Sequence, residues 1–266
     1  MYQKSWQIKF QIITKIDMND LLNPNIQLVE PGHKYVLFDN PEIKFRSVTE
    51  IVGEFFEPFD NNAVAEKLVA SHPKYRMMTV KDVISMWDAK RDFGTKIHNE
   101  IETCLNDEGY PNNINIYQYD VKTRYALDWL RQFESKYDLE IYPEVKVFST
   151  EVNIAGSIDV LLYNKNTDSY AIIDWKTSKK IDTRSYKNKK GTHPITENMQ
   201  DCKFVHYSFQ LSFYRYLLEE YYGLNISNQL IAHISDKGCH GLKGDYYEQE
   251  VVSMISHHQD KLNTTT

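Results

Sequence analysis

Long apolar runs are missing from this chain. No stretch approaches the roughly 20 apolar residues that a membrane-crossing helix requires, so no membrane partner is expected. Cysteine is scarce as well. Cys104, Cys202 and Cys239 are odd in number and scattered, without a C-x-x-C pair, which disfavours both a disulfide framework and a zinc centre. An intracellular, reducing compartment fits that usage best. In the opening MYQKSWQIKFQIITKID, Lys or Gln breaks every short apolar run, so a secretory signal is not expected, and the absence of Arg there weakens the case for a transit peptide. There is no internal repeat and no G-x-x-x-x-G-K-[ST] loop, so a helicase or ATPase motor would have to be a separate partner.

A basic balance is lacking too: 31 Lys and Arg stand against 37 Asp and Glu, a formal net charge of −6. Taken alone, this argues against a nucleic-acid partner. The distribution argues the other way. The segment KTSKKIDTRSYKNKK holds Lys176, Lys179, Lys180, Arg184, Lys187, Lys189 and Lys190 against one acid, Asp182. It reads either as a funnel for phosphate or as a solvated charged loop.

What is present is enough to bury a core: 266 residues, 41% hydrophobic and 13% aromatic. The expectation is a single α/β domain over 1–266, with a helical N-terminal half and a central mixed β-sheet flanked by helices. The segment from His33 to Phe45 suggests a small hairpin around Asp39-Asn40-Pro41. Ser47-Val-Thr-Glu50 has the form of a capping box and predicts a helix from Ser47. Further helices are expected at about 61–71, 79–90, 93–106 and 117–136. From Glu140 the runs IYPEVKVFS, SIDVLLY and YAIIDWKT predict three sequential antiparallel strands. A long helix over Phe204–Tyr222, strands at Gln229–Ser235 and Tyr246–Val251, and a frayed NTTT tail complete the reading.

Chemistry concentrates at Asp174-Trp175-Lys176. Period-two alternation puts Asp174 and Lys176 on one face of a strand and Trp175 on the other. A hairpin would bring Asp159, in Gly156-Ser-Ile-Asp159, beside Asp174. Two carboxylates at about 4 Å repel by roughly 4 kcal/mol at an effective dielectric near 20, so they call for a proton or a cation between them. Mostly oxygen ligands favour Mg²⁺ or Mn²⁺ over zinc, and His98 on FGTKIHNEIE could add one imidazole. Lys176 could orient water and offset phosphate charge, a safer role than free base beside two carboxylates. Plainer readings stay open: a strand-end ion pair for Asp174 and Lys176, a satisfied helix histidine at His98, and simple packing for Gln210 and Tyr214, which share a helix face.

In order, Gly94-Thr-Lys-Ile-His98, Glu144, Gly156-Ser-Ile-Asp159, Asp174-Trp-Lys176 and Gln210-Leu-Ser-Phe-Tyr214 resemble the RecB-like branch of the PD-(D/E)xK nuclease superfamily, over about Ser47 to Ser235. Within it the likeness is to exonucleases of phages and large DNA viruses and to the mitochondrial genome maintenance exonuclease. The Lys-, Asn- and Ile-rich composition suits a viral source. The resemblance implies a restriction-endonuclease-like core whose helical part spans about 47–136 and whose catalytic β-meander and helix span about 140–235. It implies metal ligation by His98, Asp159, Asp174 and the backbone carbonyl of Trp175, with Lys176 as the catalytic lysine. Gln210 and Tyr214 match a helix motif that contacts DNA, and Glu144 matches an acidic residue of variable role. No iron–sulfur cluster is expected, because the four cysteines of the members that carry one are absent.

The implied activity is metal-dependent hydrolysis of DNA, with single-stranded DNA or DNA ends as substrate and replication, repair or recombination as the setting. Lys179, Lys180, Arg184, Lys187, Lys189 and Lys190, with Tyr186, Phe204 and Tyr207, could track a strand by phosphate contact and stacking. A structure-specific endonuclease and a non-catalytic nucleic-acid-binding protein on the same fold are the alternatives. The H-x-E of His98-Asn-Glu100 also fits half of a zinc deaminase signature, but its P-C-x-x-C half is missing.

Overall fold

Three alternating runs build the centre of the molecule, a computed structural model that describes Leu21, residues 25–29, Gly32 and residues 34–265. The expectation for the first seventeen residues lies outside these. β4 (Leu139–Ser149), β5 (Ile154–Asn164) and β6 (Ser169–Lys176) form the expected antiparallel meander, with Val145 opposite Ile158 and Val160 opposite Ile173. β7 (Ile226–Ser235) lies parallel to β6, and β8 (Gly238–Lys243) lies antiparallel to β7. A two-residue strand, β3 (Arg46–Ser47), runs parallel to the start of β5. Among the described residues the result is a mixed six-stranded sheet.

One edge of β5 is shared, and this creates the site. β3 pairs with it at Ile154 and Ala155, whereas the β6 ladder begins only at Val160. Residues 156–159 therefore lie in the opening between the two neighbours.

Period-two alternation divides the sheet's apolar residues between two helical layers. Leu161 and Ile172 pack with α1 (Val48–Glu54), α5 (Lys203–Tyr222) and α6 (Glu248–Thr265) through Val52, Phe209, Phe213 and Met254. Val160, Ile173 and Trp175 pack on the opposite face with α3 (Val80–Leu105) and α4 (Val121–Glu134) through Ile97, Ile101, Leu127 and Leu130. Each such buried aliphatic or phenyl side chain contributes about 1.5–3 kcal/mol. α2 (Asn61–Ser71) precedes α3.

The capping box at Ser47 is real: Ser47 Oγ accepts from the Glu50 N–H at 3.2 Å, and the Ser47 N–H donates to the Glu50 carboxylate at 3.0 Å. Other expectations need correction. The helices expected at 79–90 and 93–106 are one helix, α3, which runs through Gly94 without a break. The hairpin pairs β1 (Ile26–Val29) with β2 (Lys34–Leu37), so its reversal precedes β2, and Asp39–Pro41 instead turns the chain towards β3. His33 lies outside the described residues. Tyr246–Val251 is not a strand. Val251, Met254, Ile255 and His258 recur at helical spacing and bury one side of α6, which continues through Thr265, so the NTTT tail is helical up to that residue.

Candidate active site

At the opening between β5 and β6 the meander brings Asp159 and Asp174 together as the antiparallel register requires. Beyond Val160 and Ile173 the ladder stops, and the Asp159 carboxylate accepts the Trp175 N–H at 2.6 Å in place of a backbone carbonyl. Trp175 itself points into the opposite layer, edge-on to Trp129. His98, on α3, sits with Nδ1 3.3 Å from the other Asp159 oxygen.

Asp174 is buried, with 3% of its side chain exposed, and Lys176 Nζ lies 2.6 Å from its Oδ2. The other oxygen, Oδ1, accepts from the Gln210 amide at 3.2 Å. Lys176 also donates to Gln210 Oε1 at 3.3 Å and lies 4.6 Å from the centre of the Tyr207 ring. Gln210 gives its second amide hydrogen bond to the Tyr214 hydroxyl at 3.0 Å. Tyr214 occupies space that only glycine leaves free: a Cβ at Gly156 would stand 2.4 Å from its ring. The glycine of Gly156-Ser-Ile-Asp159 thus seats the ring under the site.

The electrostatics follow from burial and facing charges. Burial pushes the Asp174 carboxyl up to about 6, against a lowering by Lys176 and with a smaller repulsion from Asp159 added to it. For Asp159, burial is outweighed by His98 and Lys176, which hold it below the ordinary carboxylate value. His98 and Lys176 are both raised, because the carboxylates outweigh a burial that would lower them. Lys176 is thereby kept as an ammonium.

Glu144 faces Asp159 across the β4–β5 ladder, where the Pro143 and Val145 pairings flank it. Its φ of 52° is left-handed, a conformation costing about 1–3 kcal/mol in a non-glycine residue and concentrated at functional sites. Its carboxylate contacts Lys146 at 3.1 Å and is raised by burial and then by Asp159.

Among the described residues no three His, Cys, Asp or Glu side chains already converge as a ready-made cation site. Asp174 is turned to Lys176 and Gln210, and Asp159 to His98 and the Trp175 N–H. The donor set nevertheless fits a hard divalent cation: two neighbouring carboxylates, Asp159 on β5 and Asp174 on β6, with the His98 imidazole beside them.

A family model for the PD-(D/E)XK nuclease superfamily matches residues 86–234, more than half of the chain. This chain belongs to that superfamily. The matched span of this superfamily member contains His98, Glu144, Asp159, Asp174, Lys176, Gln210 and Tyr214. The solved structure of SSO0001 is similar at 13% identity with a TM-score of 0.35, over 80% of this chain and 74% of that one, too slight a likeness to carry an argument. No curated protein matches the sequence.

A groove of about 1150 Å³ opens over these residues. Of the basic run beyond Lys176, Lys179 lines it. Lys180 pairs with Asp182, Lys189 with Glu57 and Asp201, and Lys190 donates to the Asn198 carbonyl. Lys187 lies over the Tyr186 ring, and that ring is exposed to solvent. Arg184 is also exposed. Phe204 packs against the core, and Tyr207 lines the groove. Sequence reasoning missed Trp87, Lys90, Arg91, Phe93, Lys122 and Lys203, which line it as well. Trp87, Arg91, Gly94 and His98 are spaced four, three and four apart, so one stripe of α3 carried the signal. Tyr35, whose hydroxyl donates to Ser157 Oγ at 3.4 Å, comes from a distant hairpin and had no local signal.

Proposed function

We propose that the chain is a metal-dependent deoxyribonuclease of the RecB-like branch, acting as an exonuclease on single-stranded DNA or free DNA ends. The observation that carries the reading is the convergence of His98, Asp159, Asp174 and Lys176 at the opening between β5 and β6, on the floor of a groove. His98, Asp159 and Asp174 would hold Mg²⁺ or Mn²⁺. The Trp175 carbonyl would join them: a strand residue's N–H and C=O point to the same side, and the Trp175 N–H is given to Asp159. The cation would acidify water and draw charge from a phosphoryl oxygen.

The chain's own residues do the rest. Lys176, kept charged by Asp174 and Asp159, places an ammonium beside the scissile phosphate, where it offsets developing negative charge. Gln210 holds Lys176 and Asp174 in register, and Tyr214 holds Gln210. Glu144, with its raised carboxyl at the rim, is placed to take up a proton from water. Lys179 receives the phosphates of the entering strand. The preference for a free end over an internal segment rests on the resemblance to the exonucleases of the RecB-like branch and on the placement of Lys179 beside the groove.

The test is incubation of end-labelled linear and covalently closed single-stranded DNA with Mg²⁺, Mn²⁺ or EDTA. Loss of linear DNA alone, dependent on metal, is the expected result. Cutting of the circle would replace exonuclease by endonuclease, and binding without cleavage in any metal would overturn the enzymatic reading.

A further inference from the structure

Away from the catalytic residues, one wall of the groove is built from α3, and its composition is unlike the rest of the site. Trp87 and Phe93 line this wall together with Lys90 and Arg91. Trp87 lies on the same helical stripe as His98, roughly 16 Å further along the axis at 1.5 Å per residue. Its ring is half-buried and is steadied edge-on by Phe59, with centroids 5.7 Å apart, while Phe59 is itself 68% exposed. Phe93 is partly exposed and is flanked by two ammonium groups, Lys96 and Lys122, at 5.7 and 5.8 Å from its centroid.

The cations on the groove differ in how free they are. Lys90, Lys179 and Lys203 are exposed and make no ion pair among the described residues. Arg91 is tied to Asp88 and Asp92, and Lys122 to Asp236. In a chain of net charge −6, a groove with three unpaired lysines and partly exposed aromatic rings selects a polyanion that also offers flat apolar faces. A duplex buries its base faces in its own stack. An unpaired strand presents them, and stacking on aromatic side chains with phosphates on neighbouring cations is how such strands are held without sequence preference.

We infer that Trp87, braced by Phe59, is a stacking platform for a base of an unpaired DNA strand lying along α3, with Lys90 and Lys203 taking its phosphates. The inference rests on the reading of this groove as the DNA path, but not on cleavage. It deepens that reading by assigning single-strand selectivity to base faces rather than to the width of the groove.

The test is equilibrium binding in EDTA, where nothing is cut, of a labelled dT oligomer of ~12 nucleotides and of an abasic oligomer of equal length and charge. Wild-type protein should bind the dT oligomer at least tenfold more tightly than the abasic one. Trp87→Ala should remove about tenfold of that preference, leaving abasic affinity and the salt dependence unchanged, and Trp87→Phe should restore most of it. Equal binding of the two oligomers by wild type overturns the platform, whatever the variants do. So does a Trp87→Ala loss that is the same for both. Base-dependent binding without cleavage in any metal would leave the platform standing and remove the nuclease reading. Cleavage without base dependence would do the reverse.

Discussion

The opening between β5 and β6 and the loop that follows it are both rich in charge, yet they spend it differently. At the opening, four ionisable side chains stand in two contacting pairs, His98 with Asp159 and Lys176 with Asp174, and the pairs shift one another: Asp174 is raised to about 6, while Asp159 is held low. From Lys180 to Lys190 the cations are mostly exposed, and Lys180, Lys189 and Lys190 find partners in Asp182, Glu57, Asp201 and the Asn198 carbonyl. Charge fixed by a strand register into a buried place is costly unless it does something. Charge on an exposed loop is cheap and is readily neutralised by neighbours, so its density in sequence says little about where phosphate will lie.

Variants at the opening sharpen that contrast most. Lys176→Ala should lower the cleavage rate by roughly 10²–10³, as loss of a preorganised positive donor does, and Asp174→Asn should bring it to background, both read from single-turnover time courses. Next in size is the groove against the loop. Lys90, Lys179 and Lys203 changed together to Gln should weaken single-stranded DNA binding and reduce its salt slope by about 2, at roughly 0.7 per lost phosphate contact. The same change at Lys187, Lys189 and Lys190 should move the slope less. Equal slopes for the two triple variants would erase the distinction. Gly156→Ala should cost about 1–3 kcal/mol by driving a methyl into the Tyr214 ring, a fall in Tm of several degrees that a larger ring pocket, Tyr214→Leu, should partly restore.

The smallest effect is on pH dependence without metal. Asp174 has a folded value raised from 3.8 to about 6, so the folded state binds its proton more tightly than the unfolded state. Its contribution therefore falls as pH rises from about 4 to 6, and it is unfavourable above that window. Asp159 is shifted the other way: its contribution is present above its unfolded value and is lost as pH falls through the folded one. Asp174→Asn should accordingly raise the Tm of metal-free protein by a few degrees at pH 7 and flatten its dependence between pH 4 and 6. An unchanged profile would mean that Asp174 titrates normally.

Much of this was legible in the sequence wherever a short-range period set the geometry. Alternation in three runs gave the meander, and the meander's register set Asp159 against Asp174. Ser47 and Glu50 marked a helix start because both capping bonds are local. The reading lost its way where tertiary partners decide. β8 contains two glycines and is a strand through pairing with β7, while Tyr246–Val251 looked apolar enough for a strand until Met254, Ile255 and His258 extended it as a helix face. The gap expected between helices at 79–90 and 93–106 is absent because α3 is continuous, and Gly94 within it permits close approach, since a Cβ there would stand 3.0 Å from Thr177 Oγ1. Lys90, Arg91, Lys122 and Lys203 escaped notice because they come from α3, α4 and α5, and no window of sequence contains them together.

The central claim is that the paired carboxylates form a divalent-cation site, and the most direct measurement is Mn²⁺ titration of wild-type and Asp174→Asn protein, following Tm. The account predicts a saturable rise in Tm for wild type, as expected when a ligand binds only the folded state, and no rise for the variant. A rise of the same size in both proteins, or none in a wild type that still cleaves DNA, would contradict it.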